Sequence, residues 1–496
     1  MKAKITVNKK FPIAEIDTRI YGGFVEHLGR CVYDGIYEPE HKTADNLGFR
    51  KDVIDFVKEL GVSIVRYPGG NFVSGYNWED GTGDKSKRPK KLDCAWESIE
   101  TNQVGIDEFQ EWAKRAGSEV MLAVNLGTRG PAEAKDLLEY CNLTTDTYYA
   151  NKRRENGFDK PFGIKTWCLG NEMDGPWQIG GKSAKEYGKL ARNTAKLMKI
   201  TDGSIELVAC GSSFYEMPTF GDWEYTVLDH AYNYIDYLSV HQYYGDKGDT
   251  TPEFLARSVD MDKYLKGVAA ICDAVKAKKH SDKTINLSLD EWNVWHKNPN
   301  YNEKWEIAPH LLEEVYTLED ALLVGCMLMT IQNNCDRVKM ACIAQLVNVI
   351  APIMTEKNGE AWVQTIFYPF MYSSLKGRGE AMKTIVKCDS YSTAFANVVP
   401  YIESSVIHNS EKREIVVFAV NRSLDEDMLM TLDFDGFNES NIVEHIELYS
   451  DDIKATSTKN TQGVCPAKRH VDEKFKSTTH TVTLKKHSWN MITFKY

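Results

Sequence analysis

The chain has 496 residues, 42% of them apolar and 26% charged, and carries a formal net charge of −11. Such acidity argues against nucleic acid or an anionic membrane surface as its partner. The length suits either three average domains or one large α/β barrel with a smaller companion, and the apolar content is enough for a large core.

Taken in chain order, the first residues, Met1-Lys-Ala-Lys-Ile-Thr-Val-Asn8, lack the apolar h-region of a signal peptide. They read as a strand, and a cytoplasmic location is expected. From residue 18 to 375, short apolar runs alternate with longer amphipathic stretches. Strands are predicted over 20–26, 63–68, 119–126, 165–170, 205–211, 235–242, 285–291 and 341–347. Helical patterns such as Lys51–Leu60 and 184–199 fill the intervals. Alternation of this kind implies a parallel sheet, and eight strands suit a closed (β/α)8 TIM barrel. An open doubly wound sheet is the runner-up, but it would gather polar groups at one crevice. Here they recur at one end of every run: Glu26-His27, Asn71, Asn125, Asn171-Glu172, Ser212-Ser213, His241-Gln242-Tyr243, Glu291 and Gln345.

The longest strongly apolar stretch, 321–331, is too short to span a bilayer. Beyond about Tyr372 the pattern changes. Segments 404–408, 414–420, 428–432, 445–449 and 480–484 are β-like and separated by Asn, Asp, Gly and Ser. They predict an antiparallel, jelly-roll-like β-sandwich built from both chain ends, 1–17 and 376–496, with the boundary near Gly377-Arg378-Gly379. Eleven cysteines, an odd number without any Cys-x-x-Cys pair, read as reduced core thiols. The basic run Lys85-Ser-Lys-Arg-Pro-Lys-Lys91 reads as a solvated loop.

Two of the strand ends carry chemistry. Trp167-Cys-Leu-Gly-Asn-Glu172 and Leu287-Ser-Leu-Asp-Glu291 each finish an apolar run on a glutamate. Glycosidic bond cleavage needs such a pair: one carboxyl to protonate the leaving oxygen, and one to attack or to activate water. Taken singly, Glu172 could simply cap a helix start. Strand alternation predicts that only one of Asp290 and Glu291 faces the site. Arg66 is expected to partner a carboxylate inside the barrel, and His241 and Tyr243, two residues apart, to hydrogen-bond near the nucleophile. Gly69-Gly70 lets the backbone approach a ligand closely, but no phosphate-loop pattern surrounds it. No His-Glu-x-x-His or related metal spacing occurs, so neither metal nor cofactor is expected.

Five motifs resemble one family. They are Tyr21-Gly-Gly-Phe-Val-Glu-His-Leu-Gly-Arg30, Arg66-Tyr-Pro-Gly-Gly-Asn-Phe-Val-Ser-Gly-Tyr-Asn-Trp-Glu-Asp-Gly81, Trp167-Cys-Leu-Gly-Asn-Glu-Met-Asp-Gly-Pro-Trp177, Ser239-Val-His-Gln-Tyr-Tyr244 and Asp290-Glu-Trp-Asn-Val-Trp295. In order, and through to the closing Ser488-Trp-Asn490, they are similar to the intracellular α-L-arabinofuranosidases of glycoside hydrolase family 51. The resemblance implies that Glu172 is the acid/base and Glu291 the nucleophile of a retaining, exo-acting hydrolase. It further implies that Glu26, Asn71, Asn171 and Gln345 bind arabinofuranose hydroxyls, and that Tyr243 hydrogen-bonds the nucleophile. Trp96 and Trp295 would line the sugar pocket, and Trp177 would wall the next sugar. Arabino- and arabinoxylo-oligosaccharides are the implied substrates, and a homo-oligomer, commonly a hexamer, the implied assembly. Retention expects the two carboxyls about 5–5.5 Å apart, against about 6.5–9.5 Å for inversion. A barrel glycosidase for β-glucosides or β-xylosides and a non-catalytic carbohydrate-binding protein are the rival readings.

Overall fold

The computed structural model describes residues 1–245, 248–297, 304–472 and 474–496. Eight parallel strands close into a barrel in sequential order: Gly22–Phe24, Ile64–Tyr67, Glu119–Val124, Thr166–Leu169, Glu206–Cys210, Tyr237–Tyr244, Asn286–Val294 and Val338–Ala344. We call these barrel strands one to eight. A helix follows each one, from Lys51–Leu60 after the first to Phe367–Lys376 after the eighth. The fold is therefore the TIM barrel that the alternation predicts, not the open sheet.

Local chemistry explains the helices. In Lys51–Leu60 the buried residues Val53, Ile54, Val57 and Leu60 fall on one face, and Gly61 ends the helix in a left-handed conformation, φ 74°. Helix Ala184–Thr201 starts from a capping box in which Ser183 and Glu186 bond reciprocally. Phe24, Ile64, Met121, Cys168, Val208 and Met340 plug the barrel below its rim. Polar side chains at the strands' C-terminal ends consequently meet above a dry floor.

The second domain is one nine-stranded sheet. Strand Lys2–Glu15 pairs antiparallel with Glu380–Cys388 and parallel with Met428–Asp435, while the other pairings are antiparallel. The sheet is thus mostly, not wholly, antiparallel, and Glu380–Cys388 is a strand that the alternation pattern does not reveal. Phe434 and Phe494 lie on strands far apart in sheet order, yet their ring centroids are 4.9 Å apart. The sheet must therefore curl over its own core, which gives the two-layer character expected of a sandwich.

Helix Leu318–Asn333 contains the apolar stretch 321–331 and is buried on all sides. It lies between barrel and sheet, which is why its apolar residues are not confined to one stripe. A Cβ at Gly325 would meet the Trp489 ring at 2.4 Å, so only glycine allows this approach. Arg422 crosses the same junction, donating to Leu255 O at 3.1 Å and Ser258 Oγ at 2.7 Å. No helix among the described residues is long and apolar enough to cross a membrane.

Of the eleven cysteines eight are buried, and none forms a disulfide. The basic run is mostly solvated, with Ser86, Lys87, Pro89, Lys90 and Lys91 exposed, but it is tied down at two points. The Arg88 side chain, 3% exposed, grips Glu108 with two hydrogen bonds of 2.8 and 3.0 Å, and Lys91 lies 2.5 Å from Asp80. Lys91–Asp93 then begins a hairpin with Ser98–Glu100, whose turn carries Trp96. The run anchors a rim hairpin because its cations find acids on neighbouring elements, which spacing alone does not disclose.

Candidate active site

Barrel strand four ends at Leu169, and the chain turns through Gly170 (φ 87°), Asn171 and Glu172 (φ 44°). A non-glycine residue in the left-handed region is uncommon, and such strain concentrates at sites where a side chain must be aimed. Glu172 is aimed across the rim at Glu291 on strand seven. One donor atom each from Glu172, His241 and Glu291 falls within a 4.8 Å cluster. That spacing would also suit a cation. Arg66 and His241 already supply positive charge to the carboxylates there, which disfavours a bound cation.

Arg66, from strand two, organises the floor. Its guanidinium donates to Glu291 Oε1 at 2.6 Å and to Asn171 Oδ1 at 2.8 Å, and its Nε lies 3.2 Å from Asp290. Asn171 in turn donates to Asn71 Oδ1 at 3.3 Å. Tyr243 donates its hydroxyl to Glu291 Oε2 at 2.8 Å and meets Trp295 edge-on at 5.6 Å. His241 Nδ1 lies 3.0 Å from Glu172 Oε1 and 3.6 Å from Glu291 Oε2.

Glu26 forms the other wall. Its carboxylate accepts from the Phe72 backbone N–H at 2.9 Å and the Trp96 indole at 3.0 Å, with Gln345 Nε2 at 3.4 Å. Gln345 Oε1 also accepts from the Glu26 N–H at 3.1 Å. Burial and the neighbouring Glu291 push the Glu26 carboxyl up to about 8. A Cβ on Gly70 would come within 2.6 Å of Glu26 Oε2. The Gly69-Gly70 pair therefore exists so that the strand-two loop can wrap this carboxylate. Gly70→Ala is expected to displace Glu26 and weaken ligand binding at this rim about tenfold or more; unchanged binding would detach the glycine from the site.

The residues Glu26, Asn71, Trp96, Asn171, Glu172, Tyr243, Glu291, Trp295 and Gln345 thus fall on one rim in two contact groups, one around Glu26 and one around Arg66 and Glu291. Trp177 joins them: its indole donates to Glu172 Oε2 at 2.6 Å, and its ring stacks on Phe214 at 6.1 Å.

One expectation fails. Asp290 and Glu291 do not face opposite sides of strand seven. Pairing with both neighbours slips between residues 287 and 292, so the alternation breaks at these two acids. Asp290 points into the barrel under Glu291, fully buried. It accepts from Ser239 Oγ at 2.5 Å, and Cys168 Sγ is at 3.6 Å. Burial alone would raise its carboxyl, but Arg66 and His241 hold it below the usual range. Burial would likewise lower His241, but Glu291, Asp290 and Glu172 together push the imidazole up to about 10. The two adjacent acids hinted at this; the bulge that turns both inward leaves no mark in the residues themselves.

Comparison with known proteins follows the same line. Residues 56–264 match the α-L-arabinofuranosidase 1 domain model, and residues 290–488 the α-L-arabinofuranosidase C-terminal domain model. The chain is 53% identical to intracellular exo-α-(1→5)-L-arabinofuranosidase 1 of Bacillus subtilis (strain 168), over 100% of this chain and 99% of that one. It is 47% identical to an exo-α-(1→6)-L-arabinofuranosidase of Bifidobacterium longum, over 100% and 97%. The structure of AbfB, a family 51 α-L-arabinofuranosidase from Bifidobacterium longum, superposes with a TM-score of 0.95 at 45% identity, covering 99% of each chain.

Proposed function

The chain belongs to the α-L-arabinofuranosidases of glycoside hydrolase family 51, and from that premise we propose how its rim works. The enzyme is a glycosidase, an exo-acting α-L-arabinofuranosidase. We assign it a retaining double displacement. Glu291 attacks the anomeric carbon while Glu172 protonates the glycosidic oxygen, and a covalent arabinofuranosyl-enzyme forms. Glu172, now a carboxylate, then takes a proton from water as that water attacks the anomeric carbon and Glu291 departs.

A single observation carries this reading: the Glu172 and Glu291 oxygens belong to a cluster no wider than 4.8 Å. That nearest approach supports direct attack over the wider carboxyl separation of inverting enzymes. Arg66 and Tyr243 orient Glu291 by donating to its two oxygens. Glu26, Asn71, Asn171 and Gln345 offer acceptors and donors around the site to the sugar hydroxyls, and the Trp96 and Trp295 rings offer walls. Hydrogen bonds that tighten as the ring flattens toward the oxocarbenium ion would raise kcat rather than affinity alone. Trp177, half exposed beside the acid/base, is placed for the next sugar.

For substrate, we infer arabino-oligosaccharides and arabinoxylo-oligosaccharides handled in the cytoplasm, with α-(1→5) linkages ahead of α-(1→6). The relative named for the former linkage is the more similar. Time-resolved NMR on (1→5)- and (1→6)-linked arabino-oligosaccharides and on arabinoxylo-oligosaccharides tests both points. The first product should be α-arabinofuranose released from the non-reducing end. β-Arabinofuranose as first product would overturn retention, and preferential (1→6) cleavage would overturn the linkage assignment.

A further inference from the structure

Beneath the catalytic pair lies a third carboxylate that the double displacement does not consume. Asp290 contacts both cations of the floor, with Arg66 Nε at 3.2 Å and His241 Nε2 at 3.4 Å. The other ring nitrogen of His241 faces Glu172 Oε1 at 3.0 Å. The imidazole thus lies between the buried Asp290 and the acid/base, Nδ1 at hydrogen-bond distance from Glu172 and Nε2 at ion-pair distance from Asp290.

We propose that Asp290 is a positioning residue that keeps His241 doubly protonated throughout the catalytic cycle, so that Nδ1–H always donates to Glu172 Oε1 and the transferable proton resides on Oε2. The proposal rests on the assignment of Glu172 as acid/base.

Three observations support it. First, Asp290 cannot serve the reaction directly: its side chain is 1% exposed and lies under Glu291 on the barrel floor. Second, it is the one anion near His241 whose charge stays constant. The negative charge of the other two moves during the cycle, since Glu291 loses it on becoming an ester and Glu172 gains it on giving up its proton. Asp290 holds the Nε2 side of the ring while that charge moves past Nδ1. Third, Glu172 Oε2 faces Trp177, on the side open to solvent, while Oε1 faces inward to His241. An incoming aglycone has only Oε2 to meet.

The carboxylates at ion-pair distance from His241 are Glu172, from the loop after strand four, and Asp290 and Glu291, from strand seven. Behind Asp290 stand Arg66 of strand two and Cys168 of strand four. On its own strand, Tyr243 reaches Glu291. Three carboxylates against Arg66 leave net negative charge around the ring, which agrees with an imidazole raised to about 10.

The expected effect is selective. In Asp290→Asn the kcat on oligosaccharides, whose leaving groups need acid assistance, should fall tenfold or more, while aryl arabinofuranosides with good leaving groups change far less. His241→Gln should reproduce this selectivity, and the double variant should lose no more than His241→Gln alone. A further loss in the double variant would place the effect on Arg66 and overturn the proposal, as would an equal loss on all substrates.

Should Asp290→Asn not fold, imidazole 15N NMR of the unmodified enzyme decides the matter. Both His241 nitrogens should carry protons near neutral pH, in the free enzyme and in the enzyme trapped as its glycosyl ester. A neutral ring in either state removes the proposal. Azide rescue of Glu172→Ala tests the acid/base assignment separately. With rescue intact, a loss that does not select between leaving groups counts against Asp290 alone.

Discussion

Glu291→Ala is expected to lose activity on every arabinofuranoside, by at least about 10⁴-fold, the scale on which removing a covalent nucleophile collapses an enzyme rate. Glu172→Ala should behave differently. Its loss should be about 10²–10⁴-fold on oligosaccharides but far smaller for glycosylation by substrates with good leaving groups, which need no proton. Deglycosylation then becomes slow for want of a base, and the glycosyl-enzyme accumulates. Azide, which needs no deprotonation, should relieve that step and yield an arabinofuranosyl azide with the substrate's anomeric configuration. The asymmetry comes from the surroundings of the two carboxylates. Glu291 is clamped by Arg66 and Tyr243, as a nucleophile must be, whereas Glu172 meets only His241 and the displaceable indole of Trp177. Kinetics on paired aryl and oligosaccharide substrates, with and without azide, measure this. Rescue of Glu291→Ala instead, with an azide that keeps the substrate's anomeric configuration, would exchange the two roles.

Much of this site was legible in the residues. Eight apolar runs ending in polar groups dictate a barrel, because alternating strand and helix periods admit few other closed arrangements. Once the barrel closes, side chains at the strand ends must share a rim, so the convergence of Glu26, Asn71, Asn171, Glu172, Tyr243, Glu291 and Gln345 follows from topology. Arg66 was legible too, since an arginine inside a strand pattern needs a buried partner. What stayed hidden depends on registers and long-range pairings. The slip around Asp290-Glu291 turns both acids inward, and no local pattern marks it. The Arg88 side chain is buried because Glu108 lies opposite, on a helix that a count along the loop does not place against it. The parallel pairing of Lys2–Glu15 with Met428–Asp435 joins residues more than 400 positions apart, beyond the reach of any periodicity.

Arg66 also links the chemistry to the stability of the barrel. Both its side chain and that of Asp290 are 1% exposed, and Glu291 beside them is 8% exposed. Arg66→Met would keep the aliphatic volume but leave two carboxylates with His241 as their sole remaining cation. Removing one partner of a buried ion pair typically costs about 3–5 kcal/mol, because the orphaned charge stays desolvated. The cost should depend on pH in a definite direction. Asp290 is depressed in the folded protein by Arg66 and His241 despite its burial, so its contribution is present above the ordinary aspartate range. It is lost as pH falls through the depressed value. Wild type should therefore lose more stability in acid than Arg66→Met, and the difference between them should be largest at neutral pH. Adding Asp290→Asn to Arg66→Met should recover part of the loss, since the orphaned charge is then gone. Urea unfolding followed by tryptophan fluorescence, at neutral and mildly acidic pH, measures all three. A cost under about 1 kcal/mol, the level of an exposed pair, would mean that water reaches this floor and that Arg66 is not the buried clamp its contacts describe.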